Sequence, residues 1–355
     1  MTRPLRIAVI ASARYPIREP FAGGLESHTW FLARALRRRG HAVTVFAAPG
    51  SDPDLGVDVL PVDNVAFSAA ARADVSMGPE WWMAEHHAYL RLMLDLADHP
   101  DRFDVVHNNS LHHLPIALAP LLSTPILTTL HTPPTPWLES AIRARPDHGV
   151  VFAAVSAHTA AAWRPVVPDA VVVRNGIDLD LWAPGLGGGP LVWTGRITPE
   201  KGTHLAMAAA RRAGRPLLVA GPIADHGYWH AEVAPRLGGS IAYAGHLSQR
   251  ELRDLVARAS ALLVTPCWDE PYGLVVAEAL ACGTPVAGFA VGALPELVDD
   301  GCGRLVPPGD VAALAAVIPE AVALPRATAR ARAVQEWAHP RMVDEYVALY
   351  EQVAA

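Results

Sequence analysis

Short apolar runs alternate with helical patterns along almost the whole chain, and that rhythm leaves few folds open. In the first half the runs rich in Val, Ile and Leu cover 7–11, 42–47, 57–60, 105–107, 126–131 and 151–156. In the second half they cover 191–194, 217–220, 241–244, 261–265, 285–289 and 304–306. Runs of this kind, apolar throughout and separated by helical stretches, predict parallel sheets built from βα units. The segment 25–39 shows the helical partner: Leu25, Trp30, Phe31, Leu32, Ala35 and Leu36 recur at helical spacing, and Gly40 is the stop. Arg37, Arg38 and Arg39 sit where the helix dipole favours cations.

A chain of 355 residues exceeds one ordinary domain and can bury two cores. Leu186-Gly187-Gly188-Gly189-Pro190 is a flexible break, after which the alternation begins afresh. The expected organisation is therefore an α/β domain over 1–184, a second over 185–336, and a terminal helical segment over 337–355. In that last segment Met342, Val343, Tyr346, Val347 and Tyr350 form a stripe suited to packing back across the first domain. No internal repeat of solenoid period interrupts the pattern.

Hydrophobic residues at 51% against 18% charged argue for a globular chain. A formal charge of −6 gives no global attraction to nucleic acid or to an anionic membrane, so any phosphate-binding cations must be local. The segment 7–11 reads as a buried strand rather than a signal-peptide core, and Pro115, Pro120 and Pro125 break the most apolar later stretch. No stable membrane insertion and a cytoplasmic setting are the expectations. Cys267, Cys282 and Cys302 contain no C-x-x-C pair, which speaks against a disulfide framework and a zinc site.

The most informative stretch is Trp268-Asp269-Glu270-Pro271-Tyr272-Gly273-Leu274-Val275-Val276-Ala277-Glu278, directly after an apolar strand. Pro271 and Gly273 favour a turn into a helix, whose first amides near Gly273, Leu274 and Val275 form a site for an anion such as a diphosphate. Glu278 projects about one turn into that helix and can accept paired hydrogen bonds from ribose hydroxyls, while Glu270 would face sugar hydroxyls by the same logic. A glycosidase pair needs carboxyls about 5 to 9.5 Å apart. Eight residues of helix would separate these two by about 12 Å, which favours binding duty. The bland alternative is a capping residue and a solvated helix residue.

A second stretch, Thr194-Gly195-Arg196-Ile197-Thr198-Pro199-Glu200-Lys201-Gly202, leads from a strand into a turn with two cations. Arg196 can fork onto phosphate and Lys201 supplies a compact charge. Each is worth about 1 kcal/mol to a phosphate charge at 4 Å in water and about 4 at intermediate dielectric. The two suffice to neutralise a departing diphosphate without a metal, unless they are simply a solvated loop. In the first half, Gly23-Gly24 opens the helix that ends near Arg39, and missing side chains let phosphate approach a backbone. No G-x-G-x-x-G follows the first strand, which counts against a dinucleotide dehydrogenase.

These stretches, together with Ala281-Cys282-Gly283-Thr284-Pro285-Val286, resemble the donor half of retaining glycosyltransferase family 4. The resemblance spans nearly the whole second half and implies the GT-B architecture, two Rossmann-like domains facing across a cleft. It implies Arg196 and Lys201 on the diphosphate of a nucleoside diphosphate sugar, Glu278 on the ribose and Glu270 on the donor sugar. The family's donor pocket also implicates Tyr272, Gly273, Leu274, Val275 and Leu247, with Gly23 and Gly24 facing the donor phosphate. His131, at the carboxyl end of its strand, is implied to lie beside the reacting carbon; otherwise it merely closes the strand. No cofactor and no metal are implied beyond the donor substrate. The stretches Gly202-Thr203-His204-Leu205 and Tyr243-Ala244-Gly245-His246-Leu247 resemble the avilamycin-type and tetrahydrobiopterin glucosyltransferase branch, implying a small-molecule acceptor of natural-product or pterin type.

Three further features frame the acceptor. His107, Asn108, His112 and His113 form a polar cluster near a strand end that could line an acceptor pocket. Trp81, Trp82 and Trp137 suit either an aromatic-lined pocket or core packing. Asp178-Leu179-Asp180 superficially matches the D-x-D of metal-dependent glycosyltransferases, but no other acidic ligands accompany it and it is rejected as a metal site. A sugar-nucleotide epimerase or hydrolase, or a non-catalytic sugar-nucleotide sensor, would use the same donor motif.

Overall fold

The strand ends all point one way in each of two parallel sheets, because every strand is followed by a crossover that returns the chain to the same edge. The computed structural model describes residues 3–62, 65–76, 78–145 and 149–354. The first sheet contains β1 (Arg6–Ile10), β2 (Ala42–Ala47), β3 (Val57–Val59), β4 (Val105–Asn108), β5 (Ile126–Leu130), β6 (Val150–Ala154) and β7 (Val171–Val172), in the order β3-β2-β1-β4-β5-β6-β7. The second contains β8 (Leu191–Thr194), β9 (Leu217–Ala220), β10 (Ile241–Gly245), β11 (Leu262–Val264), β12 (Val286–Phe289) and β13 (Gly303–Val306), in the order β10-β9-β8-β11-β12-β13. Both are Rossmann-like, and the strand order reverses beside β1 in one sheet and beside β8 in the other.

Helices cover both faces, which is why the strands carry no polar alternation. On one face of the first sheet, Leu32, Ala33 and Leu36 of the helix Gly24–Arg38 pack with Ile7, Val9, Val43 and Val45. On the other, Tyr89, Met93 and Leu96 of the helix Glu80–Asp98 pack with Ala8 and Ile10. The second sheet sets Leu191 and Trp193 against Ala206, Met207 and Ala210 of the helix Thr203–Arg212. Its opposite face sets Val192 and Leu262 against Val276 and Leu280 of the helix Leu274–Ala281. β7 has no counterpart among the sequence runs, because two residues at a sheet edge are too few to carry a periodic signal.

The last helix, His339–Val353, returns to the first sheet. Met342, Val343, Tyr346 and Tyr350 are buried in the same core as Ile7, Leu127 and Val173. There the Tyr350 hydroxyl lies 2.7 Å from His107 Nδ1, and His107 Nε2 lies 2.8 Å from Thr129 Oγ1. This corrects the expectation that His107 and Asn108 line an acceptor pocket. β4 is a central strand covered on both faces, so His107 is wholly buried and satisfied within the core, and Asn108 Oδ1 accepts from Ser110 N and Oγ at 3.0 and 2.7 Å. Among the described residues no single helix is long and apolar enough to cross a membrane. Tyr350→Phe leaves His107 Nδ1 buried without a partner, and is expected to cost about 1–3 kcal/mol, measured as a fall in the urea midpoint with unchanged far-ultraviolet circular dichroism.

Candidate active site

Both switch points open onto one cavity of about 360 Å³ between the sheets. Loops beyond strand ends at the point where strand order reverses are splayed apart, so ligands of open α/β sheets bind there. Ser12 and Arg14, beyond β1, and Leu111, beyond β4, line one wall. Gly195 and Arg196, beyond β8, and Thr265, Trp268 and Glu270, beyond β11, line the other.

Gly273 caps the helix Leu274–Ala281 with φ +91°, a left-handed conformation in which an added Cβ would lie 2.6 Å from Leu294 Cδ2. The amides of Leu274 and Val275 follow it with no acceptor among the described residues, and both residues border the cavity. Glu278 stands on the same helix, so its carboxyl also borders the cavity. Only residues from Leu274 onward are helical; the spacing from Glu270 to Glu278 is therefore half turn, and helical rise alone does not set it. Glu270 is buried, and its Oε2 accepts from Lys201 Nζ at 2.6 Å and from Trp268 Nε1 at 2.9 Å. Lys201 Nζ also lies 4.9 Å from the centre of the Trp268 ring. Behind this carboxylate, Gly292 has φ +59°, and an added Cβ would fall 2.2 Å from Glu270 O.

Arg196 borders the same space, with no carboxylate within 4.0 Å among the described residues. Its guanidinium stem faces the first sheet's glycine pair: a Cβ at Gly23 would lie 3.8 Å from Arg196 Cδ, and one at Gly24 would lie 3.5 Å from Leu274 Cδ2. Gly23, Gly24, Leu274 and Arg196 are thus brought together across the cleft. His131 follows β5 into the cavity, where its Nε2 lies 2.8 Å from Asn109 Oδ1. The carbonyl oxygen accepts, so Nε2 carries the proton and Nδ1 keeps its lone pair. Burial, with His107 behind it, lowers the His131 imidazole to about 3, and the ring is neutral at physiological pH. Leu247 lies on the cavity wall, and its neighbour His246 bridges the domains through Nε2, 2.9 Å from Phe21 O.

Tyr272 borders the cavity, but its hydroxyl is committed elsewhere, donating to Asn175 O at 2.7 Å. Asp178 lies outside the cavity: its Oδ1 accepts from the amides of Asp180 and Leu181 at 3.0 Å each, the local hydrogen bonding that marks an acidic turn residue. Sequence reasoning passed over Glu26, which looks like an ordinary acid in a first helical turn. It is buried on the cavity wall opposite Arg196, and burial raises its carboxyl pKa. The switch-point rule, applied to the residues just beyond β1, would have found Ser12 and Arg14.

The second sheet's region, 189–323, matches the family model described as "Glycosyl transferases group 1", and 22–181 match "Glycosyltransferase Family 4". A glycogen synthase from Mycobacterium tuberculosis is 32% identical, with 88% of this chain and 86% of that protein aligned. The chain belongs to glycosyltransferase family 4. The glycosyltransferase is also 30% identical to a D-inositol 3-phosphate glycosyltransferase from Mycolicibacterium smegmatis, over 98% of this chain and 91% of that one. Its fold is that of AviGT4, a glycosyltransferase of avilamycin A biosynthesis, with TM-score 0.70, 24% identity and 99% and 98% of the two chains covered. An Anabaena protein, HepE, solved with UDP and glucose, superposes with TM-score 0.75 at 19% identity, over 98% and 99% of the chains. The architecture is GT-B, and the protein is a transferase enzyme.

Burial raises the carboxyl of Glu278 to about 8 in the glycosyltransferase, against an ordinary value of 4.5. The native state then holds a proton that the unfolded chain releases above about 4.5, and the stability this provides is lost as pH rises through about 8. Glu278→Gln cannot ionise. Its melting temperature relative to the parent is expected to climb from pH 5 to pH 9, and a difference independent of pH would refute the buried, protonated carboxyl. Gly292→Ala is expected to cost at least about 2 kcal/mol in thermal or urea unfolding, since strain at positive φ adds to the clash with Glu270 O.

Proposed function

We propose that this glycosyltransferase moves a hexosyl group from a nucleoside diphosphate sugar, UDP-linked, to a small-molecule hydroxyl acceptor, with the anomeric configuration retained. One observation carries the reading: Gly23, Gly24 and His131 from one sheet meet Arg196, Lys201, Glu270, Glu278 and a helix start from the other around a single cavity. Its volume of about 360 Å³ lies in the range of small-molecule sites. Relatives named for glycogen synthesis and inositol-phosphate glycosylation, and a fold neighbour holding UDP and glucose, support a sugar-nucleotide donor.

In this reading the diphosphate takes the guanidinium of Arg196, which no carboxylate pairs among the described residues, shares Lys201 with Glu270, and receives the Leu274 and Val275 amides. Charge that develops on the leaving diphosphate meets donors already in place, so little reorganisation opposes departure. Glu278 takes the ribose hydroxyls and Glu270 those of the sugar. His131, neutral and oriented by Asn109, accepts a sugar hydroxyl at Nδ1 or presents its backbone carbonyl to the oxocarbenium-like carbon. These groups leave no step that needs a metal, and turnover is expected to survive excess EDTA.

Product analysis after incubation with UDP-glucose and acceptor separates transfer from epimerisation, hydrolysis and mere binding, and the anomeric proton coupling of the product reports retention. Removing one charge-assisted phosphate contact costs about 1.5–3 kcal/mol, so Arg196→Ala is expected to weaken UDP binding by roughly 10- to 100-fold in calorimetry. His131→Ala should leave UDP affinity within about twofold and lower kcat by roughly a hundredfold or more. Parent-like donor binding and turnover in Arg196→Ala would sink the assignment.

A further inference from the structure

Beside the donor cavity the first domain carries an aromatic surface that the donor chemistry does not use. Trp81 and Trp137 are 61% and 59% exposed, an unusual cost for indoles unless something covers them. Trp137 stacks on His113 at 5.4 Å, His113 on His112 at 4.5 Å, and His112 on Tyr89 at 4.5 Å, a column of rings running from the surface to the core. Trp82 closes on Trp137 at 6.0 Å from the neighbouring helix. Trp82 and Trp137 are each backed by another ring, and Trp81 by the Arg14 guanidinium.

The surface is continuous with the cavity. Arg14 lines the cavity, and its guanidinium carbon lies 5.7 Å from the Trp81 ring centre; Leu111, also on the cavity wall, directly precedes the two stacked histidines. Thr132 lines the cavity five residues before Trp137. The arginines at the edges of the surface are paired: Arg14 with Glu85 at 3.2 Å, and Arg143 with Glu139 at 2.8 Å on the Trp137 helix. Burial first, then their histidine neighbours, lowers His112 to about 3 and lowers His113, so neither supplies a cation at neutral pH. Asn109 Nδ2, beside His131, and Thr132 Oγ1, on the cavity lining, are buried without a hydrogen-bond partner among the described residues.

We propose that this surface, resting on the transferase reading above, is the acceptor subsite, and that its occupant is an uncharged oligosaccharide. Apolar ring faces lie on Trp81 and Trp137, and hydroxyls at the terminal sugar meet Asn109 and Thr132. A pyranose ring presents a flat C–H face and a rim of hydroxyls together, which matches indole faces next to unsatisfied polar atoms. A flat aromatic alcohol would satisfy the indoles and leave most of those polar atoms unpaired. A phosphorylated polyol would meet arginines already paired with carboxylates, Arg14 with Glu85 and Arg143 with Glu139.

The test is titration of the UDP-loaded protein by calorimetry with maltotriose, cellotriose and mannotriose, alongside a reduced pterin and inositol 1-phosphate. At least one neutral trisaccharide is expected to bind, and Trp81→Ala/Trp137→Ala to weaken it at least tenfold while UDP affinity stays within twofold. Trp81→Phe/Trp137→Phe should restore part of the loss. Both tryptophans are exposed, so truncation opens no core; an unchanged melting temperature checks this. The proposal is overturned if none of the three sugars binds, if binding ignores the tryptophans, or if the pterin or the phosphate binds in their place. Loss of UDP binding in the parent protein would instead count against the donor reading.

Discussion

The turn Pro271–Gly273 is where the two halves of the molecule are locked to each other, and the geometry of the site depends on it. Pro271 O accepts from Ser156 Oγ at 2.7 Å and Thr159 Oγ1 at 3.0 Å, both from the first domain. One residue on, the Tyr272 hydroxyl donates to Asn175 O in the connection between the sheets. His158 Nε2 lies 2.6 Å from Asp269 Oδ1 just before the turn. These contacts grip the segment that carries Glu270 on one side and launches the Leu274–Ala281 helix on the other. The first domain is thereby tied directly to the segment that positions Glu270, Glu278 and the open helix amides.

Burial and pairing set the charge of the groups around the cavity. Glu278 is desolvated, and Glu270 keeps its charge company with Lys201 and Trp268. Arg196 has no carboxylate within 4.0 Å among the described residues, and Glu26, across the cleft from it, has its pKa raised by burial. Two histidines on the first-domain side are held neutral: His28 and His131 stack edge to face at 5.0 Å, and burial lowers both. His28 and His131 therefore add no positive charge to their side of the cavity.

How much of this was legible in the sequence varied with the range of the interaction. β2, β8 and β9 lie where the apolar runs place them, because a strand buried on both faces leaves an unbroken hydrophobic stretch. The helix start at Leu274 was readable from Pro271 and Gly273, whose backbone preferences are local. His107 was misread, since a histidine next to an asparagine at a strand end looks the same whether it meets a ligand or a tyrosine from the far terminus. Glu26 was passed over for the same reason, because an acid in a first helical turn is ordinary until a second sheet closes over it.

The sequence by itself determined the class of fold, through local periodicity, and the family to which the chain belongs, through the resemblance of its Gly195–Gly202 and Glu270–Glu278 stretches. Only the tertiary structure decided which residues of those stretches share one cavity, that Glu278 is desolvated enough to hold a proton near neutral pH, and that Trp81 and Trp137 face outward. Burial and charge environment are properties of what packs nearby in space, and residues hundreds of positions apart supply them; no window of sequence contains that information.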